Sequence, residues 1–205
     1  MIRTIAAVVA GVAATAALGL SAASASATPA RGSADAYGYT TVRDGVPDTA
    51  KRFTLTSPDV RQGAAVPADA WANAFGCTST NHQPRLAWSG APAGTRSYAV
   101  TMVDRDAPTG GGFRHWLVWD VPTGTTALDR ALPPGAVSGT NDAGLTGYLG
   151  PCPPPGDVTH RYEITVYALD VADLGLPAST PAAVTSFTMS SHVVGYARIT
   201  ATARR

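Results

Sequence analysis

Three segments of this sequence alternate in polarity with the two-residue period of a β-strand, and they constrain the fold more than any other feature. They run over Ser97–Asp104, Phe113–Val121 and Arg161–Leu169, and every second side chain of a strand lies on the same face. The chain of 205 residues contains 21 glycines and 16 prolines, and these are too many helix-breaking residues for a helical bundle. We therefore expect a loop-rich, mainly β fold.

Shorter segments complete this expectation. The predicted helix has Thr180 as its N-cap and Pro181 at its first helical position, and it runs to about Gly195. Residues 122–156 are rich in glycine and proline, and so long a connection within a compact domain is typical of a functional loop. Three further short strands are predicted: Phe53–Thr56, Leu86–Trp88 and Arg198–Ala203.

The N-terminal segment has the order of a secretory signal peptide. Arg3 is followed by an apolar run to Leu20 and then by Ala25-Ser26-Ala27, which predicts cleavage after Ala27 and a secreted or extracytoplasmic protein. The alternative is a transmembrane anchor, but the run is rich in alanine and glycine and no cationic flank follows it. We expect residues 28–50 to be a lead-in segment and residues 51–205 to be a single domain.

The charge balance excludes some partners. With 15 Lys and Arg against 14 Asp and Glu, the formal net charge is +1, which is too small for the cationic surface of a nucleic-acid-binding protein. Arg3 is the only charged residue of the predicted signal peptide, so the cleaved chain is formally neutral. Neutrality also argues against strong electrostatic binding to a membrane surface.

The predicted export determines how the two cysteines, Cys77 and Cys152, are interpreted. Disulfides persist outside the cytoplasm, so a Cys77–Cys152 bridge is expected. Closing a loop of this length would stabilise the fold by about 4 kcal/mol in the chain-entropy model. The alternative is a pair of buried thiols. The spacing gives no indication of a zinc or thioredoxin-type site.

Titratable residues stand at the ends of the apolar faces of all three long strands. The alternation places His115 on one face with Leu117 and Trp119, and it places His160 in phase with the apolar residues of the third strand. Asp104 and Asp106 continue the inner face of the first strand, and Arg105 points to the other side. Buried imidazoles and carboxylates need partners. The pattern therefore predicts a polar cluster, although each histidine alone could be a core residue.

Such a cluster could serve several kinds of chemistry. Two imidazoles oriented by Asp104, beside a glycine-rich loop that offers backbone N–H groups, would form a small anion pocket. The same residue types could hold a metal ion, but no HExxH-like spacing supports it. A serine-hydrolase elbow and an obvious nucleophile are also lacking.

The motifs around these residues resemble the two signature regions of the phosphatidylethanolamine-binding protein family. The similarity is greatest to its bacterial, Raf-kinase-inhibitor-like branch, and it covers the chain from about Phe53 to the end. The motifs are Asp104-Arg105-Asp106-Ala107-Pro108, His115-Trp116, the glycine- and proline-rich run of residues 147–156, and His160-Arg161-Tyr162.

The resemblance implies a central antiparallel sheet packed on a second sheet, with a C-terminal helix and few short helices. It also implies a pocket for phosphate-like anions or phospholipid headgroups, no cofactor and no enzymatic activity. Two alternatives remain: an inhibitor or interaction module for a secreted protease or a kinase, and a small acid-base enzyme. By motif position the pocket residues are Asp104, His115 and His160 at its polar core, Asp106 and Pro108 at its rim, Gly147 and Gly150 in the loop, and Trp116 and Tyr162 beside it. Ala107–Pro108 becomes a candidate cis peptide bond.

The chain departs from the family pattern at two places. Arg105 stands where the family usually has proline, which restores a backbone N–H and adds a cation. The chain ends in Arg204-Arg205, where bacterial relatives often have an aromatic residue. We therefore expect altered loop geometry after Asp104 and a different C-terminal wall of the pocket.

Overall fold

The computed structural model describes residues 42–205. The predicted signal peptide over residues 1–27, and the lead-in segment up to residue 41, lie outside the described residues. Residues 42–50 form no helix or strand, but Val46 and Ala50 pack against buried side chains of the domain. This part of the lead-in is therefore held by contact.

Two β-sheets dominate the described residues, together with one α-helix and one 3-10 helix. The elements are β1 (Lys51–Arg52), β2 (Thr54–Thr56), the 3-10 helix (Ala68–Ala70), β3 (Leu86–Ser89), β4 (Ser97–Asp104), β5 (Phe113–Pro122), β6 (Ala127–Leu128), β7 (Val137–Ser138), β8 (His160–Leu169), α1 (Ala182–Ser190) and β9 (Val193–Ala203). The larger sheet has the order β1-β9-β8-β4-β5-β7 and the smaller one β2-β3-β6. All pairs are antiparallel except β1 with β9. The prediction of a mainly β, two-sheet fold is confirmed.

The larger sheet is buried on both faces. On one face, Val100 and Ile164 belong to a first core that also contains Trp88 and Leu128 of the smaller sheet. On the other face, a second core joins Leu117, Trp119 and Leu169 to Ala182 and Met189 of α1. Full burial of an aliphatic or aromatic side chain contributes about 1.5–3 kcal/mol, so the double coverage makes β4, β5 and β8 the stable centre of the domain.

Strands β4 and β8 follow the predicted alternation. Their residues in the first core include Val100, Met102, Ile164 and Val166, and Asp104 and His160 stand in phase with them at the strand ends. Both polar residues are buried, with 3% and 1% of their surface exposed. The sequence pattern therefore places these two side chains correctly.

Strand β5 does not follow the predicted alternation. Leu117 and Trp119 belong to the second core, whereas Trp116 belongs to the first. His115 contacts the ring of Tyr162 on the first-core side. The prediction that His115 shares a face with Leu117 and Trp119 is therefore wrong.

A β-bulge explains this difference. Met102 pairs with Trp116, but the next residue, Val103, pairs with Arg114, so His115 is left without a partner on β4. An extra residue in one strand reverses the alternation beyond it. The bulge lets two consecutive side chains, His115 and Trp116, turn toward the first core.

The helix and the strand after it also differ from the prediction. Pro181 is the N-cap of α1, without a capping side chain, and Thr180 precedes it. The helix ends at Ser190, because the chain from Val193 onward pairs along the whole of β8 instead. Gly195 lies within β9, where a Cβ atom would stand only 2.8 Å from the Lys51 carbonyl.

The predicted first strand is divided between the two sheets. Residues before Phe53 pair with β9, and those after it pair with β3. The Phe53 N–H donates to the Tyr196 carbonyl at 3.1 Å. The chain thus crosses from the larger sheet to the smaller one at this residue.

Candidate functional site

The polar cluster lies where β4 ends and β8 begins. Asp104 pairs with Tyr162 in the register of these strands, and His160 is the first residue of β8. The bulge in β5 adds His115, which is 7% exposed. Three neighbouring strands therefore bring together the three residues that were predicted to form the polar core of the pocket.

Asp104 is held by three hydrogen bonds. Its Oδ1 accepts from the backbone N–H groups of Asp106 and Ala107, at 3.0 and 3.1 Å. Its Oδ2 lies 2.7 Å from Nδ1 of His160. Because both oxygens are engaged, the carboxylate fixes the turn after β4 and orients the imidazole at the same time.

Both ring nitrogens of His160 face carboxylates. Nδ1 contacts Asp104 and Nε2 lies 3.3 Å from Oδ2 of Asp157. Burial alone would lower the pKa of His160, but the hydrogen bonds and charges of the two aspartates outweigh it and raise the pKa above the ordinary histidine value. The positive charge of His160 is therefore stabilised inside the protein.

His115 has the opposite electrostatic environment. Its Nδ1 lies 2.9 Å from the Leu149 carbonyl, which can only accept, so Nδ1 carries the proton and donates. Burial lowers the pKa of His115, in spite of the nearby Asp104 charge. At neutral pH this imidazole is uncharged, and Nε2 is a hydrogen-bond acceptor that becomes a donor on acidification.

Tyr162 lies between the two histidines. Its ring packs edge-on against His115 at 5.3 Å between centroids and stacks with His160 at 6.4 Å. The side chain is completely buried, and its hydroxyl makes no well-formed hydrogen bond among the described residues, although it lies close enough to the Asp104 carboxylate to interact with it. Burial and the Asp104 charge raise the pKa of Tyr162, so the hydroxyl keeps its proton and remains a donor.

The turn after β4 is anchored to β8. Asp106 accepts from the backbone N–H of Arg161 at 2.7 Å and from its guanidinium at 2.8 and 2.9 Å. The N–H of Arg105 donates to the Arg161 carbonyl at 2.9 Å. Proline could not make this bond, so Arg105 extends the contact between the two strands, and its side chain pairs with Glu163 on the other face of the sheet.

The expected cis peptide bond before Pro108 is wrong. The described residues contain no cis peptide bond, and Pro108 is exposed. The two N–H groups that Asp104 caps close the turn with a trans Ala107–Pro108 bond, and the Thr109 N–H donates to the Ala107 carbonyl at 2.7 Å.

Gly147 and Gly150 do not offer their N–H groups to a ligand, contrary to expectation. The Gly147 N–H donates to the Gly139 carbonyl at 3.0 Å, and that of Gly150 donates to Oδ1 of Asn81 at 2.7 Å. A Cβ atom at Gly150 would lie 2.1 Å from the Ala70 carbonyl. Glycine is required there because the loop packs tightly against the 3-10 helix.

Trp116 follows His115 in β5 and lies within the core. It is completely buried, and Tyr148 packs edge-on against it at 5.8 Å between ring centroids. The Tyr148 hydroxyl donates to the Ala70 carbonyl at 2.8 Å. These contacts join the strand that carries His115 to the loop that leads toward Cys152.

The expected disulfide is present. Cys77 and Cys152 are joined with 5.9 Å between their Cα atoms, which links the segment after the 3-10 helix to the proline-rich loop before β8. The end of the chain lies beside it, since the Arg205 guanidinium is 3.3 Å from Sγ of Cys77 and the Arg205 carbonyl accepts from the N–H of Gly156 at 2.9 Å. Arg205 thus stands where the family resemblance implies an aromatic residue.

Three residues of the site were not predicted from the sequence. Asp157, three positions before His160, could have been noticed as a carboxylate close to a motif histidine. Asn81 and Asn141 hold the loop of residues 147–150 through their side-chain amides, and no pattern in the sequence distinguishes them from ordinary loop asparagines.

A separate cavity of about 750 Å³ lies on the opposite face of the larger sheet, lined by residues 42–48, by α1 and by arginines that include Arg105 and Arg198. Arg198 pairs with Asp44 at 3.1 Å and with Glu163 at 3.5 Å. The positive charges of the arginines that line this cavity are therefore largely balanced by acidic side chains of the same chain.

Residues 42–205 contain neither a metal-binding cluster nor a membrane-spanning helix. No group of three or more His, Cys, Asp or Glu side chains is arranged to hold a metal ion. No helix in this range is both long enough and apolar enough to span a bilayer.

Known proteins resemble this chain in sequence and in structure. YbhB of Escherichia coli is 40% identical over 154 residues, which cover 72% of this chain and 97% of YbhB. YbcL of the same organism is 37% identical over 159 residues, covering 74% of this chain and 87% of YbcL. LppC of Mycobacterium tuberculosis, named as a candidate lipoprotein, is 36% identical over 154 residues, covering 75% of this chain and 73% of LppC.

The fold agrees with these relatives. The crystal structure of YbcL, described as a new member of the mammalian PEBP family, superposes with a TM-score of 0.73 and 36% identity, and covers 75% of this chain and 98% of YbcL. The family model described as phosphatidylethanolamine-binding protein matches residues 56–204. Sequence and fold thus agree, and the chain belongs to the phosphatidylethanolamine-binding protein family.

Proposed function

We propose that this protein is a non-enzymatic binding protein whose pocket takes a phosphate, phosphoester or carboxylate headgroup. The observation that carries the proposal is the Tyr162 hydroxyl, which is buried beside two histidines without a well-formed hydrogen bond among the described residues. A buried polar group left without a hydrogen bond costs about 1–3 kcal/mol, so a bound acceptor at this point would recover that free energy.

The chemistry of the neighbouring groups favours an anion. Tyr162 is a donor, the two aspartates favour the charged form of His160, and His115 becomes a charged donor on acidification. A hydrogen phosphate could also donate its own proton to Nε2 of neutral His115. The engagement of both His160 nitrogens by carboxylates argues against its use as a general base and thus supports binding over catalysis.

Calorimetry with inorganic phosphate and with phosphoethanolamine at pH 6 tests the proposal. We expect His160→Ala to abolish measurable binding and Tyr162→Phe to weaken it about tenfold, because a hydrogen bond to a charged group contributes about 1.5–3 kcal/mol. Tyr162→Phe should change stability little, since the hydroxyl makes no well-formed hydrogen bond among the described residues.

His192→Ala is the matched control. His192 also pairs with an aspartate, Asp170, at 2.9 Å, but at the exposed surface. It should bind like the wild type. Equal binding heats for the wild type and His160→Ala would refute the pocket as the site.

Export is the second part of the proposal. The signal-like segment ending at Ala27, the disulfide and the lipoprotein name of a relative support it. Cys77 and Cys152 are the only cysteines, and both are in the disulfide, so neither can carry a lipid. Intact-mass measurement on protein secreted by a bacterial host should give a chain that begins at Thr28. A full-length chain retained in the cytoplasm would contradict export.

A further inference from the structure

We propose that Asp157 is an internal competitor of the ligand, a carboxylate that holds Nε2 of His160 and must be displaced or out-competed when a phosphate-type anion binds. The inference rests on the proposed anion-binding function and names a residue that regulates it. It predicts that the pocket accepts a headgroup with a cation next to its phosphate more readily than bare phosphate.

The two carboxylates on His160 are not equivalent. Asp104 is 2.7 Å from Nδ1 and is fixed by two backbone N–H groups of its own turn. Asp157 is 3.3 Å from Nε2 through Oδ2, and its Oδ1 accepts from the N–H of Val158 at 2.8 Å. Among residues 42–205, Oδ2 of Asp157 has no other hydrogen-bond donor. Asp157 therefore makes the longer contact and has fewer bonds to lose.

The position of Asp157 also makes it movable. Its side chain is 12% exposed, against 4% for Asp104, and it belongs to the loop before β8 rather than to a strand. The loop is tied to the domain at Cys152 and at Gly156. Rotation of one side chain, with Oδ1 still on Val158, would expose Nε2 without moving these ties.

The local charges explain why the competition matters. Asp104 at the end of β4 and Asp157 in the preceding loop contact the two ring nitrogens of His160. The ring of Tyr162 in β8 stacks on His160, and His115 of β5 packs against Tyr162. His115 and Tyr162 are neutral at pH 7 because burial shifts their pKa values in the directions given above, and Asp106 is paired with Arg161. One cation thus lies between two carboxylates. An incoming anion meets a site with a net negative charge, while a neighbouring ammonium group could pair with Asp157.

Asp157→Asn tests the competitor role by calorimetry at pH 6, with Asp104 still in contact with Nδ1 of His160. Removing one negative charge about 4 Å from the ligand should tighten inorganic phosphate binding about tenfold. Phosphoethanolamine should gain clearly less, because its ammonium group loses a partner. The NMR-measured pKa of His160 should fall in the variant, a readout that an indirect effect on loop stability would not produce.

Asp170→Asn is the control, because it removes the same charge from the exposed pair with His192, and it should leave both affinities unchanged. If Asp157→Asn does not fold, Asp157→Ser keeps an acceptor for the Val158 N–H and serves in its place.

The outcomes separate this inference from the function on which it rests. If the wild type binds phosphate, His160→Ala loses it and Asp157→Asn binds no tighter than the wild type, the competitor role is refuted and the pocket stands. Phosphate binding that appears only in Asp157→Asn would support the competitor role strongly. If neither protein binds either probe, both proposals are refuted.

Discussion

At the scale of single residues, the site depends on two buried histidines whose pKa values are shifted in opposite directions. Asp104 and Asp157 both face His160 and favour its charged form, whereas burial favours the neutral form of His115 in spite of its hydrogen bond to the Leu149 carbonyl. Two similar side chains that both pack against Tyr162 therefore supply one imidazole whose charged form is favoured and one that becomes charged only on acidification. An anion pocket built this way gains a second charged donor as the pH falls.

The opposite pKa shifts predict opposite effects of pH on stability. The folded pKa of His160 is raised above the ordinary value of about 6.5, so its contribution is fully present below that pH and is lost as the pH rises through the folded pKa. Urea unfolding of wild type and His160→Gln should therefore show a difference in unfolding free energy that is largest at pH 5.5 and shrinks toward pH 8.5.

His115 should behave in the reverse way. Its folded pKa is lowered, so its contribution is present above about pH 6.5 and is lost as the pH falls through the folded pKa. The difference between the wild type and His115→Gln should shrink on acidification. Parallel pH profiles for the two variants would contradict these environments.

At the scale of elements, a single inserted residue decides how the site is assembled. β4 and β8 keep strict alternation, so the positions of Asp104 and His160 could be predicted from the sequence. In β5 the bulge at His115 reverses the alternation, and Asp120 marks a second irregularity with a φ of 56°. Bulges depend on how two strands pair, which a period within one strand does not encode. The sequence predicted that His115 joins the cluster, but for the wrong geometric reason.

Loop contacts show the same limit. The motif spacing identified Gly147 and Gly150 as loop residues, but hydrogen-bond partners distant in sequence determine what their N–H groups do. Asn81 is 69 positions from Gly150, and no local pattern connects them. The prediction of a cis bond before Pro108 was wrong for a related reason. The hydrogen bonds of Asp104 close that turn while the Ala107–Pro108 bond is trans.

At the scale of the whole molecule, the disulfide is the covalent link between the loop beside the pocket and the rest of the domain. It joins residues 75 positions apart, with the 3-10 helix segment on one side and the loop that carries Asp157 on the other. Both segments lie outside the two sheets and consist largely of irregular backbone. The larger sheet, buried on both faces, does not depend on them for its own core.

Removing the disulfide should therefore lower the free energy of unfolding, while the protein still folds. In the chain-entropy model a loop of this length contributes about 4 kcal/mol. The free energy of unfolding of the double variant Cys77→Ser, Cys152→Ser should therefore be lower by about that amount, and its urea midpoint should be lower than that of the wild type. Dithiothreitol should shift wild type to the same midpoint and leave the variant unchanged. Because the polar groups on β4, β5 and β8 keep their strand pairing, the variant should still bind phosphoethanolamine at pH 6. A reduced wild type with an unchanged midpoint would contradict the stabilising role, and complete loss of binding with the fold intact would show that the pocket itself depends on the tethered loop.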